Sequence, residues 1–77
     1  MESDSRIRLL RTLELLVTET DEAHPMTISD IINLLSDKWG ITAFRITVQR
    51  DISSLISAGY DIVSIRSTQN RYYLATM

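Results

Sequence analysis

The chain has no cysteine, one proline, two glycines and a single histidine in 77 residues. Without Cys there can be neither a disulfide staple nor a thiolate metal site. His24 alone cannot assemble a transition-metal site, and the nearby Glu19, Asp21 and Glu22 do not follow the spacing of a calcium loop. Two glycines leave no Gly-rich loop to cradle a phosphate, and no nucleophile has a plausible base. The expectation is therefore no enzyme, no cofactor and no metal. Long apolar runs are missing too. The longest aliphatic run, Leu15 to Val17, falls far short of the roughly 20 residues of a membrane span or of a signal-peptide core. A cytoplasmic protein with no membrane partner is the simplest reading.

Positive charge is also scarce, with eight Lys and Arg against ten Asp and Glu, a net charge of −2. That balance argues against a polyanionic partner, since affinity for phosphate rests on Lys and Arg. The distribution reverses the argument. Residues 1–40 carry four basic and eight acidic groups, a net of −4, whereas residues 41–77 carry Arg45, Arg50, Arg66 and Arg71 against Asp51 and Asp61, a net of +2. All the positive charge of the second half is Arg, the side chain suited to paired hydrogen bonds with phosphate or guanine.

At this length a single domain is expected over 1–77, burying only about 60% of its unfolded surface. The pattern predicts helices over about 4–20, 28–39 and 43–58, then a two-stranded hairpin over about 62–75. In the first, Leu9, Leu10, Leu13, Leu16 and Val17 form the buried stripe and Ser3 or Asp4 the cap, leaving Ile7 and Leu15 off the stripe. Pro25 ends an acidic loop, and Met26–Thr27 can make a brief extended segment. The second helix opens on "TISD", a capping-box spacing, and closes on Gly40. Thr42 is expected to cap the third, whose apolar arc is Val48, Ile52, Leu55 and Ile56, with Phe44 at its edge. "DIVSIRS" and "RYYLAT", parted by Thr68, Gln69 and Asn70, read as the hairpin. Three helices with a tight turn between the last two, followed at once by a hairpin, give a mainly α, α+β winged helix-turn-helix.

In that arrangement the third helix enters the major groove of DNA, and residues near its N-terminus reach base edges. Its outward face offers Thr42, Arg45, Ile46, Thr47, Gln49 and Arg50, and the wing adds Arg66, Asn70 and Arg71. Gln pairs with adenine, Arg with guanine, and an apolar side chain such as Ile46 with a thymine methyl. Asp51, turned away from Arg50, is expected to brace the domain through a salt bridge or cap. A different class of function is compatible with the acidic pI: a winged-helix protein-interaction module with a contact patch centred on Ile46.

The stretches "RLLRTLELL", "MTISDIINLL", "TVQRDISSLISAGYDI" and "RYYLAT" resemble the N-terminal winged helix-turn-helix domain of DeoR-like bacterial transcriptional regulators, especially those carrying a WYL domain. The resemblance spans residues 6–75. It implies sequence-specific double-stranded DNA binding, usually as a homodimer, with Thr47, Gln49 and Arg50 where the family's recognition helix meets DNA. It also implies a C-terminal effector-binding domain absent from this chain. Ile46 replaces the family's usual basic or polar residue, Gln49 its frequent Tyr or Arg, and "STQNR" its Gly-rich wing tip.

Overall fold

A computed structural model describes residues 2–75. Its elements run α1 (Glu2–Glu19), β1 (Met26–Thr27), α2 (Ile28–Trp39), α3 (Arg45–Ser57), β2 (Ile62–Ile65) and β3 (Arg71–Leu74). Three helices enclose the core and a small antiparallel sheet of order β1-β3-β2 closes one side, the arrangement of a winged helix. The sheet has three strands where a two-stranded wing was expected. The brief segment Met26–Thr27 pairs with Tyr72 and Arg71 and so becomes the third.

Both ends of α2 and the far end of α1 have a local cause. Ser3 and Asp4, expected to cap α1, lie inside its first turn. At its far end the buried Thr20 hydroxyl donates to the Leu16 carbonyl at 2.6 Å and accepts the Leu74 amide at 3.1 Å, joining the helix end to β3. Asp21 organises the following turn, accepting the Ala23 amide through its side chain and the His24 amide through its carbonyl. The capping box of α2 is formed: the Asp30 amide donates to Thr27 Oγ1 and the Thr27 amide to Asp30 Oδ2, both at 3.1 Å. Gly40 ends the helix at φ 66°, a left-handed conformation that costs a side-chain-bearing residue roughly 1–2 kcal/mol. The linker to α3 is longer than expected. Phe44, not Thr42, occupies the N-cap position, and it offers no side-chain hydrogen bond. Thr42 remains in the linker, and Ala43 is buried there.

The core comprises Leu15, Leu16, Met26, Ile28, Ile31, Leu35, Ala43, Val48, Ile52, Leu55 and Ile62. Its α1 contribution corrects the expected stripe. Leu15 is fully buried, whereas Leu10 is 64% and Val17 53% exposed. The helix is rotated because it packs on both α2 and α3, and Thr12 sits at the centre of that face. The Thr12 hydroxyl donates to the Arg8 carbonyl at 2.8 Å, which removes the cost of burying it. Ile56, expected in the apolar arc of α3, is about half exposed. Among the described residues no helix is long and apolar enough to cross a membrane.

Candidate nucleic-acid interface

The first turn of α3 and the wing tip meet because of the strand pairing. Thr27, the last residue before α2, lies opposite Arg71, the first of β3. Residues 68–70, which precede Arg71, are thereby brought over the start of α2. From the other side α3 reaches the same place: the Arg45 guanidinium donates to Ser29 Oγ at 3.2 Å. Between them lies an open cleft of about 270 Å³, lined by Arg45 and Gln49 of α3, by Thr68, Gln69, Asn70 and Tyr72 of the wing, and by Thr27 and Ile28. Arg45 and Gln49 are one helical turn apart and so share a face. Among the described residues no acidic side chain lines this cleft.

Three of the expected site residues, Arg45, Gln49 and Asn70, are therefore brought together. Arg66 and Arg71 flank the wing tip from the ends of its two strands, both exposed, and Ile65 pairs with Arg71 across the hairpin. A Ser67 hydroxyl donating to the Gln69 carbonyl at 2.7 Å orders the tip. Ile46 is 59% exposed and Arg50 is exposed beside it, whereas Thr47 is half-buried. Thr42 is set apart. It lines a different groove of about 500 Å³ with Ile7, Arg8, Trp39, Gly40 and Ile41. Among the described residues, Arg45, Arg50, Arg66 and Arg71 form no ion pair.

Asp51 does what its position predicted. It takes a two-pronged hydrogen bond from Arg8, with Nε to Oδ2 at 2.6 Å and Nη2 to Oδ1 at 3.2 Å. The side chains are 19% and 10% exposed. The bond to Asp51 holds the Arg8 pKa above its ordinary value, against the opposing pull of desolvation. Because Arg8 belongs to α1 and Asp51 to the inner side of α3, the pair fixes the rotation of α3 and hence which side chains face outward.

Sequence reasoning missed Ser29, the partner of Arg45, and gave Thr68 and Gln69 no role beyond filling the wing tip. Nothing local marks Ser29. Its place beside α3 depends on how two helices cross. Compared with models of known families, with curated proteins and with solved structures, the chain finds no match in any of the three.

Proposed function

We propose that this chain binds double-stranded DNA as the sequence-reading domain of a transcriptional regulator. In this reading α3 lies in the major groove and the wing rests on the adjoining backbone. The observation that supports it is the surface of α3 and the wing, where Arg45, Arg50, Arg66 and Arg71 are exposed and, among the described residues, form no ion pair, and where Gln49, Gln69 and Asn70 line the cleft beside Arg45. Such a surface attracts phosphate and can read base edges, with Gln49 as a hydrogen-bonding reader and Ile46 as an apolar one. The resemblance to DeoR-like regulators agrees with it.

Four phosphate contacts limit the slope of log affinity against log salt to about −3.6, so a single copy binds weakly. The test is a fluorescence-anisotropy titration of a mixed-sequence duplex at low salt. Expected are a steep loss of affinity with added salt, and about tenfold weaker binding by Arg50→Ala with a slope smaller by about 0.9. Binding that is absent at low salt, or indifferent to both salt and Arg50, overturns the proposal.

One observation favours a second reading. Phe44 and Ile46, two positions apart at the start of α3, are 69% and 59% exposed. A protein partner seated on them would tolerate salt and Arg50→Ala but not Ile46→Ala.

A further inference from the structure

Arg45 opens α3 beside Ile46, yet the two serve different surfaces, since neighbouring helix positions point about 100° apart. The Arg45 guanidinium is drawn to the start of α2, where Nη2 donates to Ser29 Oγ at 3.2 Å. A guanidinium has several N–H donors, and this bond uses one. The cleft it borders is closed on the far side by Thr68, Gln69 and Asn70 of the wing tip, whose hydroxyl and amide groups can also donate. Asn70 is fixed there because the next residue, Arg71, pairs with Thr27, close before Ser29. Arg45 is the one charged side chain among the described residues that line the cleft. The acid next to Ser29, Asp30, is turned to the Thr27 amide at 3.1 Å. A concave set of donors around one cation fits a single phosphate group, a compact anion with several acceptor oxygens.

We infer that α3 and the wing grip one and the same backbone phosphate of the duplex. Arg45 holds it from one side and Asn70 from the other, with Ser29 as the residue that positions Arg45. This rests on the DNA-binding reading and adds to it that the contacts of helix and wing are one contact, not two. Arg45 then supplies affinity without sequence information, since every duplex presents the same phosphate. Base reading is left to side chains further along α3.

A double-mutant cycle, read by duplex anisotropy at low salt, tests it. Arg45 and Asn70 are exposed, so neither substitution is expected to change the melting temperature. Expected is a loss of about tenfold for Arg45→Ala, equal on duplexes of different sequence, and of about threefold for Asn70→Ala. In the Arg45→Ala background the Asn70→Ala loss falls to nearly nothing, because no phosphate is then held for the amide to meet. Ser29→Ala costs about twofold, and that loss too vanishes in the Arg45→Ala background, which a merely structural role of Ser29 would not produce. Salt-dependent native binding with independent, multiplying losses for Arg45→Ala and Asn70→Ala overturns this inference and leaves the DNA-binding reading standing. So does an Arg45→Ala loss that varies with duplex sequence, which would make Arg45 a base reader. Displacement of the duplex by inorganic phosphate, beyond that by chloride at equal ionic strength, would give the cleft to a free phosphate ion and overturn the backbone assignment. No native duplex binding overturns both.

Discussion

The outer faces of α1 and α3 both expose large apolar side chains, Leu10 on one and Ile46 on the other, at 64% and 59%. Their neighbours differ. Beside Leu10 the charges are closed in an internal pair, Arg11 with Glu14. Beside Ile46 the guanidinium groups of Arg45 and Arg50 meet no carboxylate among the described residues. Exposed apolar area alone does not identify a partner, because over half of any folded surface is apolar. The state of the surrounding charge is more informative. A compensated rim suits another protein surface, where unpaired charges are costly to bury. An uncompensated one suits a polyanion that supplies the missing charge.

The largest expected effect comes from breaking what joins the two faces. Asp51→Ala leaves Arg8 mostly buried without its carboxylate and is expected to destabilise the fold by about 3 kcal/mol. The melting temperature then falls by roughly 12 °C or more. Thermal unfolding followed by circular dichroism measures it. A loss below about 1 kcal/mol would mean that α1 and α3 are held by their apolar contacts alone.

A smaller effect separates the faces from one another. Ile46→Ala is expected to weaken duplex binding by about threefold to tenfold, on the order of 1 kcal/mol for a lost apolar base contact. Leu10→Ala is expected to leave duplex binding unchanged, since Leu10 lies outside the α3–wing surface. Anisotropy titrations of both variants decide. If the two substitutions weakened duplex binding equally, the contrast between the faces would fail.

The smallest effect lies in the α1–β1 turn. The hydrogen bond from His24 holds Asp21 below its ordinary pKa of 3.8. A lowered carboxylate pKa adds stability that is present above the ordinary value and fades as pH falls through the shifted one. The group is fully exposed, so the native chain and Asp21→Asn are expected to differ only slightly near neutrality and to converge below about pH 4. Melting curves across that range test this.

Much of the fold was legible because its cues are local. The spacing of Thr27 and Asp30 announced the capping box, Gly40 the helix end, and the side of α3 on which Asp51 stands its structural role. The rotation of α1 was not legible. Its middle carries Leu9, Leu10, Leu13, Leu15, Leu16 and Val17, apolar residues spread round most of the helix, so periodicity alone admits more than one buried face. What decides is Thr12, whose burial depends on a hydroxyl bond that composition does not reveal. The Arg residues of the candidate site were visible as charge, but the meeting of Arg45 with Gln69 and Asn70 was not. It depends on β1, two residues long, pairing with a strand more than 40 positions away.

The Thr20 hydroxyl has a consequence for how the molecule assembles. Its bond to the Leu74 amide spans 54 positions of sequence, while its bond to Leu16 spans four. The short link forms within a helical turn, whereas the long one waits for nearly the whole chain to close on itself. Residues 64–71 bury little, so that late closure gains only modest stability. The wing is thus expected to be the last part to lock during folding and the first to exchange its amides with solvent. α1, α2 and α3 would already be assembled while the hairpin is still finding its place.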